Sequence, residues 1–330
     1  MKNEDNKESV VHYNADDLSI PEIHRLLLGG VAPRPIALVS TVSSDNVNNL
    51  APFSFFNVFS AKPPIVAFSP SRRGHDSSLK DTYNNLVDTG ECVIHAVTHS
   101  IVQQVNLTST QYPPDVDEFI KSGLTPISSD LVKPKRVKES PFQMECIVKQ
   151  IISFGESKGA GNLIICEVIK FHIDKIILKD GIIHPDLIDL VGRNSGNFYT
   201  RASNQAIFKI EKPSRKLGMG YDNLPEHIKQ SQILSANNLA QLANCDKLPS
   251  EQNVTEFINS FEKISNASDE LFERYLNGRN FNKMMLVAIA LAQSKNSNAQ
   301  MYFELTAKEA LEQNETDFAW KVLICSSSIK

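Results

Sequence analysis

Between residues 71 and 82 the chain gathers cations and hydroxyls at close spacing: Ser71, Arg72, Arg73, Ser77, Ser78, Lys80 and Thr82. A helical pattern opens near Leu79 and Asp81 and runs to Gly90. A helix start carries unpaired N–H groups and partial positive charge, so cations and hydroxyls beside it favour a phosphate. Arg72, Ser78, Lys80 and Thr82 are the candidates to neutralise and hydrogen-bond such a group. Just upstream, Ser54 and Asn57 interrupt a hydrophobic run and offer polar side chains at a strand end. Two readings stay open at this point. One is a solvated, capped helix start; the other is an aromatic phosphorylated ligand lying across strand ends.

The elements that must position these residues are mostly strands. Residues 50–58 and 65–69 are rich in β-branched and aromatic side chains, and Ala61-Lys62-Pro63-Pro64 predicts a turn between them. Residues 36–42 form a hairpin with 50–58 through the Asn- and Asp-rich turn at 45–49. Ser19 and Pro21 open a short helix that Gly29-Gly30 stops. Residues 91–97, 142–154 and 163–173 read as further strands, and 189–199 as a last one. The connection 108–138 is long enough to suggest a lid or a partner contact. Strands without βαβ repetition predict a closed antiparallel barrel. After Pro213 the pattern turns helical, with stripes such as Phe257, Ile258, Phe261 and Ile264 that read as core. The expected division is a flexible N-terminus at 1–18, a barrel domain at 19–212 and a helical extension at 213–330.

Composition narrows the class. The 330 residues carry a net charge of −4, which leaves no basic footprint for nucleic acid. The polar opening lacks a secretory core, and the longest apolar run, 284–292, is too short to span a bilayer, so no membrane role is expected. Five scattered cysteines without CxxC spacing read as buried thiols in a reducing, cytoplasmic setting. His75-Asp76-Ser77 holds the residue types of a hydrolytic triad, but sequence neighbours do not generally form its geometry. His95 and His99 have helical spacing, yet His95 falls in a strand, so no metal site is expected. No GxGxxG follows a strand, which excludes a Rossmann carrier for a nicotinamide.

An ordered motif set adds to this reading: Arg34-Pro35-Ile36-Ala37, Ser40-Thr41, Asn49-Leu50-Ala51-Pro52-Phe53-Ser54-Phe55-Phe56-Asn57, Pro63-Pro64 and Lys80-Asp81-Thr82. It resembles the flavin reductase-like family of FMN-binding split barrels, in the branch of flavoprotein oxygenases. The resemblance spans roughly residues 19–200. It implies a mainly β fold with some α, a split β-barrel followed here by an α-helical C-terminal extension, and a homodimer with flavin near the subunit interface. FMN presents a phosphate, a ribityl chain and an apolar ring. Ser54 and Asn57, with backbone groups of Phe55 and Phe56, match the ribityl and pyrimidine edge, while one of the two phenylalanines is expected to face the core. The resemblance places Ser40, Thr41 and Ser69 beside the ring, and makes His172 and Arg193 candidates for substrate or nicotinamide contact. Arg193 sits in a looser version of the family's Arg-x-Gly-Gly-x-x-Tyr motif. Hydride transfer to flavin needs positioning rather than a strong acid or base, so no catalytic residue is assigned. The expected activity is NADH- or NADPH-dependent reduction of bound FMN. The alternatives are a flavin oxygenase acting on an organic substrate and a non-catalytic FMN-binding module that recruits a partner.

Overall fold

In the computed structural model, residues 10–210, 212, 213 and 217–328 are described; most of the expected flexible segment, 1–9, lies outside them. The chain forms two compact units, one ending at Lys209 and the other beginning at Ile210.

The first unit opens on helix α1 (Ile20–Gly30), where Ser19 and Glu22 form a reciprocal capping box and Pro21 sits in the first turn. Five strands follow: β1 (Ala37–Val42), β2 (Asn48–Phe53), β3 (Phe56–Ala61), β4 (Pro64–Phe68) and β5 (Glu91–Ala96), with α2 (Asp81–Thr89) between the last two. Gly90 ends α2 in the left-handed conformation that glycine adopts without strain. The long connection is structured, containing α3 (Val102–Leu107), α4 (Glu118–Ser122) and a short hairpin of β6 (Pro126–Ile127) and β7 (Arg136–Val137). Two long strands, β8 (Phe142–Ser153) and β9 (Asn162–Ile173), complete one seven-stranded antiparallel sheet of order β2-β1-β5-β8-β9-β4-β3. After it come β10 (Leu178–Lys179) and β11 (Ile182–Ile183), helix α5 (Pro185–Ile188), and the hairpin of β12 (Leu190–Arg193) and β13 (Tyr199–Ala202).

Two expectations need correcting. The single strand predicted at 50–58 breaks at Ser54-Phe55, because β2 pairs with β1 at one edge of the sheet and β3 with β4 at the other. No hydrogen bonds join β2 to β3, so the barrel is split at that step rather than closed. The last strand predicted at 189–199 is a pair of short ones, with Asn194–Phe198 as the turn between them.

Burial explains the packing. Every residue of β1 is buried. Ala37 and Val39 face an interior core with Phe53, Phe68, Ile94, Cys146 and Cys166, while Leu38 faces a second core with Leu50, Val105, Phe119 and Val137. The connection 97–138 therefore covers the outer face of the sheet.

The second unit is helical: α6 (Glu226–Lys229), α7 (Ala236–Ala243), α8 (Glu251–Asn259), α9 (Asp269–Asn277), α10 (Phe281–Gln293), α11 (Ala299–Glu312) and α12 (Thr316–Ser328). Ser235, Ser250 and Ser268 each accept a backbone N–H at a helix start, a contact that contributes roughly 1 kcal/mol. The stripes seen in the sequence meet in one core around Phe272, Met285, Phe303 and Trp320, and the Trp320 indole donates to the Leu242 carbonyl at 3.2 Å. Among the described residues no helix is long and apolar enough to cross a membrane.

Candidate functional site

The loop from Ser69 to α2 folds back on itself through its own polar groups. The Asp76 carboxylate accepts both the backbone N–H and the hydroxyl of Ser78, at 2.9 and 2.7 Å. Arg72 donates to the carbonyl of Ser77 at 2.9 Å, and Arg73 pairs with Asp81 at 3.3 Å while donating to the Leu79 carbonyl. These bonds help bring Arg72, Arg73, Lys80 and Thr82 to the lining of a cleft of about 360 Å³, which Asn49 and Tyr112 also line.

Lys80 stands apart from its neighbours. It occupies the N-cap position of α2, and no side chain caps that helix start. The ammonium makes no hydrogen bond or ion pair among the described residues. Burial and the nearby Arg73 hold its pKa below the usual lysine range, with Asp81 opposing them. A desolvated cation beside open helix N–H groups is an arrangement that a bound anion completes. Thr82 adds a hydroxyl. Its Oγ accepts from Asn49 at 2.9 Å, which leaves its proton free to donate.

The cleft continues past Pro52 and Ser109 into a second hollow of about 170 Å³ lined by Ser54, Asn106, Arg193 and Tyr199. Arg34 lies behind Ser54, donating to its hydroxyl at 3.5 Å. Gly192 permits the close packing of the Pro33–Arg34 segment on β12, since a Cβ there would sit 2.8 Å from the Pro33 side chain. A larger apolar cavity of about 950 Å³ opens on the far side of Ile36, lined by residues such as Phe56, Val66, Phe142 and Phe171.

Several candidates from the sequence are not assembled here. The side chains of Ser40 and Thr41 are fully buried, because β1 is covered on both faces. Ser40 donates to the Lys135 carbonyl, and Thr41 accepts from Asn49 and Asn85, so both hydroxyls serve the packing. Ser69 accepts the Asn162 N–H at 3.1 Å and lines none of these cavities. Ser78 is outside the cleft, its hydroxyl spent on Asp76. The ring of His172 meets the buried Glu145 carboxylate at 2.6 Å, which occupies its Nε2. Phe56 packs on the interior core, whereas Phe55 is half exposed with its ring near His24. Asn57 lines the large cavity instead of the cleft.

Asn49, Arg73, Tyr112 and Glu118 line the cleft without having been singled out. Arg73 belonged to the same cationic cluster as Arg72. Tyr112 and Glu118 come from the long connection, whose length was the one signal available. The buried Glu118 accepts the Leu50 N–H at 2.9 Å, and burial raises its pKa.

Comparisons with known proteins bear on the family and the fold. The flavin reductase like domain matches residues 29–186. A protein of Aquifex aeolicus is 35% identical over 189 residues, covering 57% of this chain and 94% of the relative. Among solved structures, nitrilotriacetate monooxygenase component B from Bacillus cereus is 32% identical with a TM-score of 0.58, covering 61% of this chain and 99% of that one. The 2-nitrobenzoate 2-nitroreductase of Pseudomonas fluorescens, at 23% identity and a TM-score of 0.54 over 61% of this chain and 96% of that one, shares the fold.

Proposed function

Because this chain belongs to the flavin reductase-like family, we propose that it is an FMN-dependent oxidoreductase whose flavin is reduced by NADH or NADPH. The observation that carries this reading is the unpaired Lys80 ammonium at the uncapped start of α2, in a cleft lined by Arg72, Arg73 and Thr82. The residues fit the cofactor. Lys80, Thr82 and the first N–H groups of α2 would hold the phosphate, and Ala51 and Pro52, which line the same cleft, would lie along the ribityl chain. Bound FMN would supply hydride acceptance and onward electron transfer. The protein's part is to position the hydride donor against the bound cofactor.

The apolar cavity supports a homodimer. Val58 and Phe59, on the edge strand β3, are 66% and 65% exposed, and exposed apolar surface beside an unpaired edge suits a second copy of this chain. The purified protein should be yellow, release FMN on denaturation and oxidise NADH or NADPH with an electron acceptor present. Stoichiometric FAD or haem in its place, or bound FMN that neither nicotinamide reduces, would remove the proposal.

A further inference from the structure

Arg34 and Arg193 face each other as a hydrogen-bonded antiparallel pair, each backbone N–H donating to the other's carbonyl at 3.0 and 2.8 Å. Residues paired in this way send their side chains to the same side of the ladder, so two guanidiniums become neighbours. Like charges directly opposite one another are destabilising unless something negative joins them. Neither arginine has a carboxylate partner among the described residues. Arg34 donates to the carbonyls of Leu28, Val31 and Asn194 and to the Ser54 hydroxyl, all of them uncharged. Arg193 donates to the Gly196 carbonyl and stacks on Tyr199, its guanidinium carbon 4.5 Å from the ring centre. Arg34 is only 6% exposed, and an arginine so deeply buried is ordinarily paired. Burial and then the charge of Arg193 press its pKa below the usual arginine range.

Ser54 connects this pair to open space. Its oxygen accepts from Arg34, so its proton can donate elsewhere, and Ser54 lines the 170 Å³ hollow together with Arg193, Tyr199 and Asn106. The hollow thus combines a planar cation braced on an aromatic ring, a hydroxyl donor and an amide, with a second, buried positive charge behind them. A guanidinium fork matches the two oxygens of a carboxylate, and the apolar lining from Ile36, Pro52, Val102 and Val105 suits a flat apolar body.

We propose that this hollow is an anion subsite that takes the carboxylate of a small aromatic molecule, held by Arg193 and Ser54 with Arg34 supplying charge from behind. It deepens the flavin reading, on which it rests for its role: the subsite would select a carboxylate-bearing electron acceptor. Binding itself does not require the flavin.

Titration calorimetry on the full-length protein with benzoate and with benzamide tests the subsite. Benzoate should bind about tenfold or more tightly than benzamide and weaken with added salt. Arg193→Gln should lower benzoate affinity about tenfold or more and leave benzamide unchanged, and Ser54→Ala should lower it several-fold. Arg193→Lys keeps the charge but loses the fork, so it should retain an intermediate affinity, which also separates a lost contact from a damaged fold. Equal affinity for the two ligands, no heat from benzoate at millimolar concentration, or unchanged benzoate binding in Arg193→Gln would overturn the proposal. The absorbance spectrum of the same preparations reports FMN content separately, so failure of the flavin reading is distinguishable from failure of the subsite.

Discussion

The Lys80 ammonium lies 5.3 Å from the centre of the Phe53 ring and has no carboxylate partner among the described residues. The flanking cations are already engaged, Arg72 with the carbonyls of Ser77 and Gly155 and Arg73 with Asp81. Among the described residues of the cleft, Lys80 is therefore a cation with neither a carboxylate nor a hydrogen-bond acceptor, at the place where α2 exposes its first N–H groups.

Lys80→Ala should weaken FMN binding about tenfold or more, since a hydrogen bond to a charged group contributes on the order of 1.5–3 kcal/mol. Thr82→Ala should do the same. Riboflavin, which lacks the phosphate, should lose much less in both variants, and fluorescence titration of the two ligands makes the comparison. Equal losses would locate the phosphate elsewhere.

His95 predicts an acid-sensitive barrel. It is 1% exposed, its Nδ1 bonds to the Leu38 carbonyl at 2.8 Å and its Nε2 accepts the Val137 N–H at 2.9 Å, so the ring is neutral. Burial lowers its pKa from 6.5 to about 4, with Arg136 and His172 adding to the shift and the Leu38 bond opposing it. The unfolded chain therefore binds the extra proton first. This stability is complete above pH 6.5 and falls away toward pH 4, by roughly 3 kcal/mol. Urea melts of the wild type and of His95→Gln across that range should diverge, with the variant showing a flatter slope.

Glu145 predicts a latch on the long connection. Its buried carboxylate accepts the backbone N–H groups of Asp130, Leu131 and Val132, at 2.8, 2.6 and 3.2 Å, besides the His172 ring. Burial raises its pKa, but those donors and His172 outweigh it and leave the group below the usual glutamate range. Glu145→Ala would strand three N–H groups, at a cost on the order of 3 kcal/mol or more. Hydrogen exchange should speed up first at residues 128–134. Protection there equal to the wild type would show that other contacts hold the segment.

A cut after Lys209 should leave a folded barrel that still takes up FMN. The helical core includes Leu224, Leu234 and Leu242, so a cut near residue 250 would instead strip those side chains of their partners. Circular dichroism and flavin refilling of the two fragments check this. Aggregation of the 1–209 fragment would show that the helices belong to the folding unit.

The strand and helix pattern was legible because β-branched runs and helical stripes are local signals. The division of residues 50–58 was not, because a strand edge is decided by partners far away in the chain, here β1 and β4. Hydroxyls were ambiguous for the same reason. Ser40 and Thr41 on a doubly covered strand look in sequence like Ser54 at an open end, yet Ser40 and Thr41 bond to buried groups and Ser54 lines a cavity. The cationic cluster at 72–82 was readable because its members are sequence neighbours, whereas Tyr112 and Glu118 reach it only through the fold.

Trp320 is the one tryptophan of the chain, and it is buried in the helical unit against the Leu242 carbonyl. Indole emission is therefore an optical label on one half of the molecule only. Emission shifts on heating or in denaturant will report the helices while remaining silent about the barrel, whose unfolding must be followed by another signal, such as flavin release. A melting curve taken from intrinsic fluorescence alone would assign the helices' midpoint to the whole protein, and two midpoints from the two signals would show that the halves unfold independently.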